Sequence, residues 1–256
     1  MIQYYTAIGR YELRTNEHGE KHPILISNRR EYAPGLCEML LWSSLLWHIR
    51  DQEELAQDFA RRKAELHICD EYSLHYYCVR LEWLGFLRRG SGYTAADALF
   101  DLLAPLYPVP ADAGLLARLG SFFHLVFRRG VALRVAWRVF HRDKLAKEEQ
   151  CVMGLLAQNS LSTAELIACV DQGLQNVQSE ALLLDRLYSE PQLTCDVLPA
   201  YVRASGQLIP VLQAVTNLYL RRLLVLEQYR GGVFSGCNFL YLPLFRLHTH
   251  CGIIFL

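Results

Sequence analysis

Residues Leu36 to Leu55 read LCEMLLWSSLLWHIRDQEEL. The first fourteen are nearly all apolar and hold two tryptophans, and the chain then turns abruptly acidic. A membrane segment, a buried core helix and the greasy rim of a binding site are the three readings to separate. The run is shorter than the roughly 20 apolar residues that span a bilayer, and it carries Glu38. At helical spacing Leu40, Trp42, Leu45, Leu46 and Ile49 overfill one stripe, as the central helix of a small three-helix core requires. Trp42 and Trp47 stand five residues apart, well around the helix from each other, so they cannot both enter one small core. One of them is expected to cover a second domain, a connector or a dimer mate. The switch at Arg50-Asp51 reads as a turn into a second helix. Asp51 is its N-cap and Glu54 the capping-box partner, with Leu55 and Phe59 on the apolar face.

Upstream, IQYYTAIGRYEL and HPILISNRREYA are rich in β-branched and aromatic residues. They flank the turn-prone TNEHGEKH, which predicts a β-hairpin closed by Pro34-Gly35. Downstream, Asp70 opens a third helix in which Leu74, Tyr77, Cys78, Leu81 and Leu84 recur at i, i+3, i+4 spacing, with Gly85 as its C′ residue. FLRRGSGYTA then reads as two short extended pieces about a Gly-Ser-Gly turn, a small β-wing.

Hairpin, three helices and wing make a winged helix-turn-helix order. The Trp-containing first helix, the acidic EEL of the second and the L-x-W-L-G-F-L that closes the third resemble a winged-helix domain. With the N-terminal hairpin, residues 1 to 95 are also similar to PqqD-like domains. That resemblance implies recognition of a leader peptide in a peptide-modification pathway.

APLYPVPADAG, with its three prolines, reads as a domain boundary. A basic helical connector follows, carrying Arg118, Arg128, Arg129, Arg134, Arg138 and Arg142 among Leu, Phe, Val and Trp. KEEQCVMGLLAQNS, AELIACVDQGL capped by Ser162 or Thr163, SEALLLDRLY and PVLQAVTNLYLRRLLVLEQY repeat the outline of the first half. The organisation expected is residues 1–104 as hairpin and winged helix, 105–146 as linker and connector, 147–230 as a second helical domain, and 231–256 as an apolar tail. Arg230-Gly231-Gly232 would turn the second domain into a second wing. The fold class expected is mainly α with small β elements.

Zero formal net charge removes any global pull towards nucleic acid or anionic membrane, so such a pull must be local. The 8 cysteines are scattered and never form C-x-x-C, which suits free thiols in a reducing compartment better than disulfides or zinc. The first residues lack the pattern of a signal peptide, and a cytoplasmic location is expected. No nucleophile elbow, P-loop, dinucleotide fingerprint or H-E-x-x-H motif occurs, so the expectation is a protein that is not an enzyme and needs no cofactor or metal. The C-terminal His248, His250 and Cys251 could share a metal only on an extended strand.

Two functions remain. In the first, a regulator binds DNA as a dimer through Arg88, Arg89, Arg128, Arg129, Arg134 and Arg138, by phosphate contact. The bland alternative for the basic run is a connector whose apolar face packs between domains; membrane contact is the weakest reading. In the second, an adaptor holds a peptide or protein by β-augmentation on the hairpin edge beside the third helix. Ser73, His75, Tyr76, Arg80 and Trp47 are its candidate contacts. The third helix presents few base-reading side chains, and Asp51 to Glu71 holds seven carboxylates, which disfavours a phosphate backbone there.

Overall fold

The computed structural model describes residues 1–17, 19–111, 144–189 and 194–228. Strand content is the first correction to the sequence reading. Of these residues 47% are helical and 20% lie in strands, in three small antiparallel sheets, so the fold is mixed α/β and not mainly α.

Ile2–Ala7 (β1) alternates its sides as a strand must, with Tyr5 and Ala7 in one core and Tyr4 and Ile8 packed on another. It is the centre of the first sheet, between Arg50–Asp51 (β5) and Leu87–Gly92 (β6). The expected wing is absent. Leu87–Gly92 is one unbroken strand paired with β1 from Ile2↔Gly92 to Ala7↔Leu87, so the strand that a wing would return comes instead from the start of the chain. Its glycines serve packing. A Cβ on Gly90 would lie 2.3 Å from Leu102 N, and one on Gly92 2.4 Å from Ala98 N, both on the helix Ala95–Leu103 (α4) pressed onto the sheet.

The predicted hairpin forms, but its first arm starts later than expected. The chain breaks at Ile8-Gly9, where Gly9 has φ 83°, and a Cβ there would meet Ile26 O at 2.3 Å. Arg10–Thr15 (β2) then pairs with Lys21–Ser27 (β3), and Arg30–Tyr32 (β4) folds back on the other side of β3. Asn28 and Arg29, with φ 44° and 63°, make the two-residue connection from β3 to β4. Pro23 is tolerated in the central strand because its nitrogen faces the side where β4 has already ended.

Leu36–Leu45 (α1) starts at Gly35, whose N–H donates to the Glu38 carboxylate at 2.7 Å. Gln52–Glu65 (α2) is capped by Asp51, which accepts the Glu54 N–H at 2.8 Å. Leu74–Leu84 (α3) is capped by Ser73 and not by Asp70, and ends at Gly85 in the left-handed region, φ 85°. Trp42, Leu41, Leu45, Leu55, Phe59, Tyr77 and Leu81 fill the core between these helices. The Trp42 indole N–H donates to Ile8 O at 3.0 Å.

The second half repeats this circuit. Tyr107–Pro110 (β7) lies inside the proline-rich stretch and is a strand, not free linker. Lys147–Leu156 (α5), Thr163–Asp171 (α6), Glu180–Leu187 (α7), Leu198–Tyr201 (α8), a 3₁₀ turn Val202–Ala204 and Leu208–Leu220 (α9) lead to Leu224–Glu227 (β8). β8 pairs back on β7, as β6 does on β1. In both halves a buried glutamate at the third helical position holds the first helix's N-cap N–H and an arginine from the last helical region. Glu38 is joined to Arg80 at 2.6 Å, and Glu149 to Arg221 at 2.8 Å. In both, the last helix closes with a residue at positive φ and the same pair of backbone bonds: Gly85 to Glu82 O and Phe86 to Leu81 O; Arg222 to Tyr219 O and Leu223 to Leu218 O.

The halves meet along β8. Its carbonyls that point away from β7 are taken by the first half: Leu226 O by the Gly9 N–H at 2.7 Å, Leu224 O by the Trp47 indole N–H at 3.2 Å. Of the two tryptophans in the opening stretch, Trp42 is thus the inward one and Trp47 the one that covers the second half. Most of the basic connector, the Arg230-Gly231-Gly232 turn and the apolar tail lie outside the described residues. Among the described residues no helix is long and apolar enough to cross a membrane, and no group of three His, Cys, Asp or Glu could hold a metal ion.

Candidate functional site

α3 buries Tyr77, Cys78 and Leu81. A surface helix with that inner face is expected to be polar outside. It is so only in part. Beside the exposed His75 and Arg80, Tyr76, Val79 and Trp83 recur at helical spacing along the outer face, 38%, 48% and 72% exposed, and Tyr72, 58% exposed, stands just before the helix. Tyr72 and Tyr76 stack with centroids 4.4 Å apart, so the stripe is partly preordered. Contiguous exposed apolar surface of this kind marks interaction sites more often than scattered single residues do.

The stripe is bolted down from beneath. The Asp70 carboxylate accepts the Tyr77 hydroxyl and, at 3.1 Å, the Tyr72 N–H. The Tyr77 bond, the Tyr72 N–H and the Cys37 thiol together hold the Asp70 carboxyl down at about 2. Burial pushes the Cys37 thiol up, and its contact with Asp70 adds to this, so Cys37 stays a protonated thiol and a poor nucleophile.

Beside the stripe runs β4, the edge strand of the hairpin sheet. Tyr32 of β4 stacks on Phe86 at 5.7 Å. Its hydroxyl donates to Glu38 at 2.6 Å and accepts from Arg80 at 3.3 Å. Arg80 also donates to the Tyr76 hydroxyl at 3.1 Å. Tyr32, Glu38, Arg80 and Tyr76 therefore tie β4, α1 and α3 into one surface. A shallow cleft lined by Asn28, Arg30, Leu84, Gly85 and Gln228 continues between β4 and the end of α3.

The candidate residues read from sequence divide over the structure. Tyr76, His75 and Arg80 share the outer face of α3, all exposed. Ser73 stands at its start, where its hydroxyl accepts the Tyr76 N–H at 3.3 Å as the helix cap. Trp47 is elsewhere: its ring lies under the Arg222 guanidinium at 5.3 Å, in the junction with the second half. Arg88 and Arg89 lie on β6. Arg89 stands 3.9 Å from Glu82, and Arg88 Nε is buried with no hydrogen-bond partner among the described residues. Arg128, Arg129, Arg134 and Arg138 lie outside the described residues. Tyr32, Tyr72, Val79 and Trp83 were not singled out from sequence. The available signal was a second apolar stripe on a helix whose first stripe already fills the core. No protein-family model, curated protein or solved structure matches this chain.

Proposed function

We propose that this chain is a non-enzymatic binding module that holds a peptide or protein segment along the β4 edge and the outer face of α3. The exposed Tyr72–Tyr76–Val79–Trp83 stripe carries the proposal. It offers rigid aromatic area of the type that anchors partners, next to a strand edge that can accept a partner backbone. The PqqD-like sequence pattern over residues 1 to 95 supports the same reading. Scattered free thiols suit a reducing compartment, and we place the module in the cytoplasm.

The DNA-binding reading has weaker support. β6 passes straight into α4 without a wing turn, Arg89 faces Glu82, and the outer face of α3 is aromatic. Its remaining arginines, 128, 129, 134 and 138, lie outside the described residues.

Affinity capture with the full chain, repeated with Trp83→Ala and Glu31→Pro, separates the two. On β4, Glu31 turns its N–H away from β3, so proline there blocks an added strand and keeps the β3–β4 ladder, at the loss of the exposed Arg14–Glu31 ion pair. The adaptor reading expects a captured partner that both variants lose. Retention by both variants, or a shift of random duplex DNA whose affinity falls steeply with salt, would overturn it.

A further inference from the structure

β2 is the other edge of the hairpin sheet, on the side away from α3. Asn16 N–H bonds Glu20 O, and the ladder alternates from there. Arg14, Glu12 and Arg10 are therefore bonded to β3, while Tyr11, Leu13 and Thr15 turn their N–H and C=O groups outward. No backbone partner meets those groups among the described residues. Leu13 is 41% exposed, at the centre of this edge. Charged side chains on an edge usually blunt it against pairing. Here the order Arg10, Glu12, Arg14 on one face selects one pairing instead.

We infer that two copies of this chain associate through their β2 edges, antiparallel, with Leu13 opposite Leu13 on the two-fold axis. In that register Tyr11 faces the partner copy's Thr15, so every outward backbone group meets another. Within each copy Arg14 is held by Glu31 of β4 at 2.5 Å and Glu12 lies 3.6 Å from Arg10. Across the axis Glu12 faces the partner copy's Arg14, and the reverse, so each arginine gains a second carboxylate in two crossed ion pairs. Opposite charges directly across an antiparallel pair stabilise it, and like charges oppose it. The neighbouring registers fail. Glu12 on Glu12 also sets Arg10 on Arg14, and Arg14 on Arg14 is equally repulsive. Centring on Tyr11 pairs Arg10 with Glu12 but needs the Gly9 N–H, which is already given to Leu226 O. The interface is isologous and closes at two copies. It leaves β4 and the α3 stripe uncovered, so it stands or falls apart from the adaptor reading.

Sedimentation of the full chain over a wide concentration range tests it. The expected result is a monomer–dimer equilibrium. Glu12→Arg and Arg14→Glu, each alone, set like charges at both crossings and shift the chain to monomer. An equimolar mixture of the two variants regains the dimer, because each introduced charge then meets its opposite. Leu13→Pro removes an outward N–H without touching the β2–β3 ladder and also gives monomer. A wild-type chain that is monomeric at every concentration, or a dimer indifferent to these changes, overturns the inference. A mixture that stays monomeric overturns the register.

Discussion

The hydroxyl oxygen of Tyr219, on α9, lies 2.9 Å from the backbone nitrogen of Trp47, just past the end of α1. Thr6 Oγ1 of β1 stands 2.9 Å away, and the same hydroxyl reaches Leu45 O at 3.2 Å. One phenol from the second half thus closes the C-terminal end of the first half's central helix. Burial pushes its own ionisation up to about 12, so it stays a neutral donor and acceptor. Helix ends leave carbonyl groups short of partners, and here Leu45 O, which accepts the His48 N–H at 3.0 Å, takes a second bond from the distant Tyr219.

Tyr219→Phe keeps the ring and removes this hub, leaving the Trp47 N–H without its partner, while Leu45 O keeps the His48 N–H. Unsatisfied buried groups cost about 1–3 kcal/mol, and the urea midpoint should fall by that amount with the slope of the transition unchanged. An unchanged midpoint would show that the hydroxyl contributes nothing.

Three glycines separate close packing from backbone freedom and from helix propensity. Gly90→Ala forces a methyl into the α4 backbone and should destabilise by on the order of 1–3 kcal/mol or more. Gly85→Ala has open space but a left-handed backbone, which costs roughly 1–2 kcal/mol. Gly154, inside α5 with nothing within 4 Å, should gain about 0.4–1 kcal/mol as alanine. Thermal unfolding of the three variants checks the order.

Asp70 has its carboxyl at about 2 in the fold, against 3.8 for the free group. A depressed acid stabilises above its unfolded value, so this contribution is present above 3.8 and is lost as pH falls towards 2. Tyr77→Phe removes the largest cause, and a carboxyl NMR titration should place Asp70 nearer 3.8. A titration unmoved by the change would assign the depression to the Tyr72 N–H and the Cys37 thiol.

Glu227 works in the opposite sense. Burial raises its carboxyl above 4.5, although Ser27 Oγ at 3.0 Å and the Asn28 N–H at 3.1 Å both donate to it. Above 4.5 the unfolded chain releases this proton before the folded one does, so stability falls as pH rises through the folded value. Glu227→Gln should flatten that slope in urea unfolding measured from acid to neutral pH. Amide exchange of Asn28 should quicken, since the amide replaces a carboxylate acceptor at the β3–β4 turn.

Local elements were legible because their signals act over a few residues. Asp51 caps α2 and Gly85 ends α3 by bonds to atoms within one turn. The glycines at 90 and 92 misled because a residue without Cβ serves a turn and a close approach equally well, and only α4 lying on β6 decides between them. The proline-rich stretch misled for a related reason. Ala111 N–H bonds Leu223 O, so in the β7–β8 ladder Pro108 and Pro110 turn their nitrogens away from β8. The α3 stripe went unread because Tyr and Trp at helical spacing look like core until burial is known.

By itself the sequence determined the first three helices and the β2–β3 turn, since periodicity and capping reside in neighbouring residues. It separated Trp42 from Trp47, although the reason is that α1 stops at Leu45 and Trp47 follows at φ 58°, and it missed α4. Tertiary structure alone decided that β1 completes the sheet in place of a wing, that β8 is edged by Gly9 and Trp47, and that one face of α3 stays bare. Trp47 and Tyr219 are separated by 172 positions. No local pattern encodes such a contact, because strand pairing and burial are set by whichever distant segment supplies the missing donor, acceptor or apolar surface.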